Sequence, residues 1–276
     1  MNARVIKFSP PASSKVSSRQ APAEKPAAER AARVGIGGWT YEPWRGSFYL
    51  PGLPHREELA FASRKLSAIE VNGTYYSTFK PAVFAKWRDD TPNDFMFSLK
   101  ANRFATNRKL LATAGESISR FINSGISELG PKLGPIVWQF IPTKKFEAND
   151  FEAFLALLPA SVDGCPLRHV LDVRHESFAV PEYLALAHRY RCVTVHTDAN
   201  NFPAIADADG EFAYLRLMRS QSDIDTGYRA TELDQWAAGA RAWRSGSRAR
   251  EVFVFFINGA KERAPAAAMA LLDRLR

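Results

Sequence analysis

Two ionisable residues interrupt an apolar run near the middle of the chain, and this stretch carries the clearest chemical signal in the sequence. Asp172 and Arg174 follow Val170-Leu171 and stand two residues apart. In a β-strand, residues two apart point to the same face. An unpaired charge is costly to bury, so that face must offer partner groups, water or a ligand. The stretch therefore predicts a strand whose polar face belongs to a site.

Polar residues also stand near the ends of six other apolar segments, where they alternate with apolar neighbours. They are Glu70 with Asn72, Ser98 with Lys100, Gln139, Thr194 with His196 and Asp198, Arg216, and Asn258. If these segments are parallel strands of one barrel, their carboxyl ends meet at one face, where barrel enzymes hold their active sites. The sequence thus predicts one polar layer at the mouth of a barrel.

Several kinds of chemistry fit this predicted layer. Arginine offers a bidentate fork and lysine a point charge to a phosphate or carboxylate, and paired carboxyls or an imidazole can transfer protons. The candidate catalytic residues are Glu70, Asp172 and His196. The candidate substrate-binding residues are Asn72, Lys100, Gln139, Arg174, Arg216 and Asn258. The near balance of acids and bases also fits a self-compensated salt-bridge layer without any substrate.

Metal and cofactor sites have weaker support in the sequence. A metal site drawn from Glu70, Asp172, His175, His196 or Asp198 would be opposed by the nearby cations, and no His-rich metal spacing is present. We therefore assign no metal ligands, and the sequence identifies no cofactor.

Aromatic residues crowd the segments after the first two predicted strands. They are Trp39, Tyr41, Trp44, Phe48, Tyr49, Tyr75 and Tyr76. Such rings can form a stacking wall for a sugar or a base, with Trp39 and Tyr75 as further substrate contacts. Packing of a long loop onto the barrel rim is the alternative interpretation.

Strand-like and helix-like segments alternate through residues 33–276. The eight predicted strands cover 33–39, 68–76, 95–101, 134–140, 168–174, 192–198, 212–218 and 251–258. Alternation of this kind at this length is typical of a (β/α)₈ TIM barrel. Segment 199–211 lacks a helical pattern, so we predict an irregular barrel after strand six. A doubly wound sheet is the competing fold, but Gly35-Ile36-Gly37-Gly38 does not match the dinucleotide-binding motif G-x-G-x-x-G.

Residues 1–32 differ in composition from the rest of the chain. They are rich in Pro, Ala and Ser and carry +4 of the net charge of +8, which predicts a disordered basic extension before a single domain at 33–276. Because half of the excess charge lies in this segment, the case for a nucleic-acid-binding face on the domain is weak. No apolar run is long enough to span a membrane, and two cysteines indicate no disulfide framework, so we expect a cytoplasmic protein.

Ordered motifs across the predicted domain resemble one known family. The motifs are Gly37-Gly38-Trp39-Thr40-Tyr41, Phe48-Tyr49-Leu50-Pro51, Ile69 to Tyr76, Thr91-Pro92 with Phe95 and Lys100, Gly134 to Pro142, Asp172 to Phe178, Tyr214-Leu215-Arg216 and Phe256-Ile257-Asn258. They are similar to the YecE-like family, domain of unknown function 72. The resemblance implies a TIM-barrel fold and no particular reaction. The chain departs from the family pattern at Asp172, usually Glu, and at Phe178, usually Trp.

Three hypotheses follow from the sequence. The first is an enzyme that acts on a small polar anion, such as a sugar or nucleotide derivative, at the barrel mouth by acid–base chemistry, as a hydrolase, isomerase or lyase. The second is a nucleic-acid-binding module that uses the basic extension and the rim aromatics. The third is a non-catalytic barrel with a structural polar layer. The substrate and the oligomeric state stay open.

Overall fold

Strands and helices alternate along the residues that the computed structural model describes, 31–276. The strands are β1 (Ala32–Gly37), β2 (Ala68–Val71), β3 (Met96–Lys100), β4 (Leu133–Gln139), β5 (Ser161–Val162), β6 (Cys165–Pro166), β7 (His169–Asp172), β8 (Cys192–Thr197), β9 (Ala213–Leu217) and β10 (Val252–Phe256). The helices are α1 (Glu58–Ala62), α2 (Gly73–Tyr76), α3 (Pro81–Asp90), α4 (Arg103–Thr106), α5 (Gly115–Ile122), α6 (Ala148–Leu155), α7 (Pro181–Arg189), α8 (Ala230–Arg244) and α9 (Ala264–Leu275).

Eight of the strands close into a parallel barrel. Their order around the barrel is β1-β10-β9-β8-β7-β4-β3-β2, and β2 pairs with β1 to complete the ring. The remaining pair, β5 and β6, forms a small antiparallel hairpin apart from the barrel. Its turn residues Asp163 and Gly164 both have positive φ, at 47° and 76°, as a two-residue type I′ turn requires. The predicted (β/α)₈ TIM barrel is confirmed.

Side chains alternate between the two faces of each barrel strand. Outward residues such as Ile36, Phe97 and Trp138 join the large core between the strands and the helices. The inward residues form a second apolar cluster that includes Val137 and Phe253. Each fully buried side chain of this kind contributes about 1.5–3 kcal/mol to folding. These side chains therefore fill the lumen from the amino-terminal end of the strands to their middle, and the barrel is not a pore.

The amino-terminal end of the barrel is closed by ion pairs. Glu251, just before β10, accepts hydrogen bonds from Arg33 Nε at 3.2 Å and from Arg168 Nη1 at 2.6 Å. The guanidinium of Arg168 also lies 5.1 Å from the ring centroid of Phe253. With this end occupied by paired charges and rings, the open end of the barrel is the one at the strand carboxyl termini.

Several details differ from the sequence predictions. β2 ends at Val71 instead of continuing to residue 76, because α2 begins at Gly73. β7 ends at Asp172, so Arg174 follows the strand instead of belonging to it. The predicted absence of a helix in 199–211 is confirmed. The predicted extension, 1–32, lies outside the described residues except for its last two positions. In the described chain, every helix is too short or too polar to cross a membrane.

Candidate active site

A buried guanidinium joins three strands at the carboxyl-terminal end of the barrel. Arg216 on β9 donates from Nη2 to Glu70 Oε1 on β2 at 3.0 Å, and from Nη1 to Gln139 Oε1 on β4 at 3.1 Å. Its Nη1 also donates to Asp172 Oδ2 on β7. Burial works against this charge, but the carboxylates of Glu70 and Asp172 outweigh it and raise the pKa of Arg216. The predicted meeting of these side chains in one layer is therefore observed.

A tyrosine hydroxyl extends the same network toward β3. Tyr214 lies two residues before Arg216 on β9, so both side chains point into the lumen. Its hydroxyl donates to Glu70 Oε2 at 2.8 Å and lies 2.7 Å from Ser98 Oγ, which in turn donates to the carbonyl of Pro135. Burial, and then the charge of Glu70, raise the pKa of Tyr214. Both oxygens of Glu70 thus accept a hydrogen bond inside the barrel.

Arg174 lies above this network, at the mouth of the barrel. Its Nη2 donates to Asp172 Oδ2 and to Gln139 Oε1, each at 2.9 Å, and its Nε donates to Asp172 at 3.2 Å. The face of the guanidinium lies 4.6 Å from the ring centroid of Phe202. These contacts fix the side chain, yet its Nη1 donates to no group among the described residues. An arginine held in this way presents two preorganised N–H groups to a ligand.

Lys100 ends β3 beside the same charges. Its ammonium lies 4.3 Å from the ring centroid of Tyr75, and no acceptor in the described chain takes a hydrogen bond from it. Burial, followed by the repulsion of Arg216, lowers the pKa of Lys100 to about 8, although Glu70 and Asp172 act in the opposite sense. A lysine with a pKa close to neutrality can gain or lose a proton under ordinary conditions.

Charge in this polar layer is not balanced. We define the mouth cluster as Glu70, Lys100, Gln139, Asp172, Arg174 and Arg216. Its three cations face two carboxylates, so the cluster carries a net charge of +1. The carboxylates accept bonds from Arg174, Arg216 and Tyr214, and within residues 31–276 the ammonium of Lys100 has no hydrogen-bonded counterion. An excess cation at the edge of a buried network favours binding of an anion.

His196 does not belong to the mouth cluster, and its predicted placement is wrong. On β8 the inward positions are Val193 and Val195, which pack in the lumen cluster. The imidazole of His196 points to the opposite face and lies edge-on to Trp236 and Trp243, with centroids 5.9 and 6.3 Å away. Burial lowers its pKa, and its Nε2 has no hydrogen-bond partner in the described residues.

The other residues of strand six serve the surrounding structure. Asp198 accepts bonds from the amide of Met218 at 2.6 Å and from the hydroxyl of Tyr228 at 2.8 Å. Thr194 Oγ1 lies 2.9 Å from the hydroxyl of Tyr183 on α7. Among the described residues, no three His, Cys, Asp or Glu side chains come together as metal ligands.

The remaining predicted contacts divide between the mouth and the outer layer. Trp39 packs edge-on against Trp87 of α3 at 5.1 Å, on the helix side of the barrel wall. This contact agrees with the alternative interpretation, in which the aromatic residues pack a long loop onto the barrel rim. Asn258 is exposed beyond the end of β10 and lies outside the network. Asn72 is half-buried. Its side-chain nitrogen lies so close to Gly37 that a Cβ added there would be 2.9 Å from it, which places Asn72 beside the end of β1 at the mouth.

Comparison with known proteins agrees with this barrel. A family model described as "Protein of unknown function DUF72" matches residues 33–276. The chain belongs to the DUF72 family. The UPF0759 protein YecE of Escherichia coli K12 is 27% identical over 148 residues, which make up 52% of this chain and 49% of YecE. This DUF72 chain thus spans about half the length of the curated relatives it matches.

Solved structures of other DUF72 proteins have the same fold. One from Thermotoga maritima superposes with a TM-score of 0.68 at 22% identity, over 88% of this chain and 97% of that protein. One from Enterococcus faecalis gives a TM-score of 0.66 at 18% identity, over 91% and 100% of the two chains. The family resemblance of the sequence motifs is confirmed, and these structures support the barrel fold alone.

Two partners of the mouth cluster in this DUF72 chain were missed in the sequence. Tyr214 has the same parity as Arg216 in the run Ala213-Tyr214-Leu215-Arg216, so a strand alternation could have identified it. Phe202 lies in the irregular segment after β8, and no local pattern brings it to Arg174. Its position depends on the path of the whole segment.

Proposed function

We propose that this protein is an enzyme that binds a small anionic substrate at the mouth of the barrel and acts on it by acid–base chemistry. The observation that carries the proposal is a pair of cationic donors, Lys100 Nζ and Arg174 Nη1, that donate to no acceptor in the described part of the chain and lie at the rim of a cluster with a net charge of +1. A phosphate or carboxylate group of a sugar or nucleotide derivative would accept from both. Arginine supplies direction and lysine supplies charge to such a group.

Within this proposal the roles of the predicted catalytic residues change. Glu70 and Asp172 hold Arg216 and accept from it, so they orient the cationic part of the cluster. Lys100 is the group that moves a proton, because its pKa of about 8 allows both protonation states near neutrality. His196 has no part in the reaction, since its imidazole lies on the other side of the barrel wall.

Thermal stability in the presence of anions tests the proposal. A ligand that binds only the folded protein raises its stability, by about 2.7 kcal/mol at a hundred times the dissociation constant. The probes are inorganic phosphate and a panel of phosphorylated and carboxylated metabolites. We expect a rise in the melting temperature for a subset of them, and loss of that rise in Arg174→Ala and Lys100→Met. Binding of inorganic phosphate should weaken as the pH rises through about 8, where Lys100 loses its charge.

Arg248→Ala is the matched control for these variants. Arg248 is 83% exposed and pairs with Asp209 at the surface, so its loss should leave the ligand response unchanged. Equal responses of Arg174→Ala and Arg248→Ala to every anion would overturn the proposal and favour a purely structural polar layer.

A further inference from the structure

A groove lined by aromatic and basic side chains lies next to the mouth. Its volume is about 400 Å³, which is in the range of small-molecule sites. The lining residues include Tyr76, Asn102, Phe104, Arg108 and Arg120, together with Glu116, which pairs with Arg120. Asn102 follows Lys100 by two residues, and the ring of Tyr76 lies edge-on to Tyr75 at 5.0 Å. Tyr75 also contacts the ammonium of Lys100, so its ring lies between the groove residue Tyr76 and the mouth cluster.

Two large aromatic rings are exposed in this groove. Tyr76 is 62% exposed and Phe104 is 59% exposed, whereas most other aromatic side chains of the described chain are buried in its cores. The guanidinium of Arg103 lies 5.8 Å from the ring centroid of Tyr76 and 5.5 Å from that of Phe104. Two exposed rings beside an arginine offer stacking surfaces of the kind that single-stranded nucleic acids use.

The charge of the surrounding segment agrees with a polyanion. Residues 103–120 contain Arg103, Arg108, Lys109 and Arg120 against the single acid Glu116, a net charge of +3. Residues 31–276 as a whole carry +4, so three quarters of that excess lies in this one segment. Among the described residues, Arg120 is the one cation of this segment that forms an ion pair, with Glu116. Neutral sugars would stack on the rings but would not require this excess of cations.

We propose that the groove binds single-stranded nucleic acid, with bases stacked on Tyr76 and Phe104 and phosphates next to Arg103 and its basic neighbours. The inference rests on the proposed function in one respect: the strand would lead a phosphate toward Lys100 and Arg174. Two separate stacking rings favour an oligonucleotide over a mononucleotide. The substrate class of the mouth would then be a phosphodiester chain.

Binding of labelled oligonucleotides to the full-length protein tests this inference. Fluorescence anisotropy is measured with ten-residue oligo-dT and oligo-U, which separate DNA from RNA. We expect binding that weakens linearly in log–log plots against salt, with a shallower slope for Arg103→Gln. Tyr76→Ala and Phe104→Ala should each weaken binding by about 5- to 150-fold through lost stacking. Both side chains are largely exposed, so these variants should keep the fold.

Leu50→Ala is the matched control, because Leu50 is 60% exposed but lies outside the lining of the groove. Residues 1–30 are present in every variant, so their basic charge cannot account for a difference between variants. Three results would overturn the inference: no oligonucleotide binding, equal loss in Leu50→Ala and Phe104→Ala, or equal affinity for thymidine monophosphate or polyglutamate.

The mouth variants separate this inference from the proposed function. If Phe104→Ala weakens oligonucleotide binding while Arg174→Ala and Lys100→Met leave every anion response intact, the groove inference is supported and the proposed function is wrong. If the mouth variants abolish the response to small anions but the groove variants bind oligonucleotides as tightly as wild type, the proposed function is supported and the groove inference is wrong.

Discussion

Arg216 on β9 reaches across the barrel lumen to Glu70 on β2, at 3.0 Å, although two strands separate β9 from β2 around the ring. The same guanidinium also bonds Asp172 on β7. One side chain therefore neutralises acids from two distant parts of the sequence. Such a contact depends on closure of the barrel, since no local element brings these strands together.

Removal of Arg216 should destabilise the protein strongly. Arg216→Met leaves Glu70 and Asp172 as buried carboxylates deprived of a shared cation, and the expected loss in the free energy of unfolding is about 3–5 kcal/mol. Urea denaturation measures it, and Arg248→Met at the surface should be close to wild type. A simultaneous change of Glu70, Asp172 and Arg216 to apolar residues of similar volume should recover most of the loss. Wild-type stability of Arg216→Met would contradict the buried pairing.

The hydroxyl of Tyr214 should contribute more to stability than that of Tyr183, although both are fully buried. Tyr214 donates to a carboxylate, and Tyr183 shares a bond with the hydroxyl of Thr194. We expect Tyr214→Phe to cost about 1.5–3 kcal/mol and Tyr183→Phe about 1 kcal/mol, because bonds to charged groups are stronger. Urea denaturation of both variants gives the comparison, and a larger loss for Tyr183→Phe would refute this ordering.

The fold and the centre of the candidate site were predictable from the sequence because inward and outward residues alternate regularly along the barrel strands. Asp172, Glu70 and Arg216 lie near the strand ends at inward positions, and the strand periodicity of two was enough to bring them together. The aromatic segments were less informative. The sequence of such a segment is the same whether a residue such as Trp39 packs on Trp87 or faces a ligand.

Strand β8 shows where this reasoning fails. Apolar and polar residues alternate in its sequence, Cys192-Val193-Thr194-Val195-His196-Thr197. We predicted from polarity that Thr194 and His196 point into the barrel, but Val193 and Val195 are the inward residues. The helix layer satisfies Thr194 through the hydroxyl of Tyr183 and covers His196 with Trp236. A strand whose outer neighbours supply polar partners cannot be assigned a face from its own residues.

His196→Leu should preserve ligand binding and reduce acid sensitivity. Burial lowers the pKa of His196, so the unfolded chain binds a proton more readily than the folded protein as the pH falls through about 6.5. The free energy of unfolding therefore decreases with acidification, and the decrease between pH 7.5 and 5.5 should be shallower in His196→Leu. Urea denaturation at the two pH values measures this. We expect the anion response to be lost in Arg174→Ala but not in His196→Leu. Its loss in His196→Leu would mean that His196 takes part in anion binding.

Lys100 should make the stability of the protein depend on pH in the alkaline range. Burial lowers its pKa from 10.5 to about 8, so between these values the unfolded chain binds more protons than the folded protein. Stability rises with pH wherever that holds, because deprotonation removes the cost of a buried charge. Lys100→Met lacks this contribution. Wild type should therefore gain about 3 kcal/mol relative to Lys100→Met between pH 8 and 10.5.

Parallel urea titrations of wild type, Lys100→Met and the exposed control Lys86→Met measure this gain. Lys86 pairs with Asp90 at the surface, so its replacement should follow wild type across the range. A constant difference between wild type and Lys100→Met would mean that the ammonium is well solvated. In that case Lys100 would keep its charge at neutral pH, and it could not act as the base that the proposed mechanism requires.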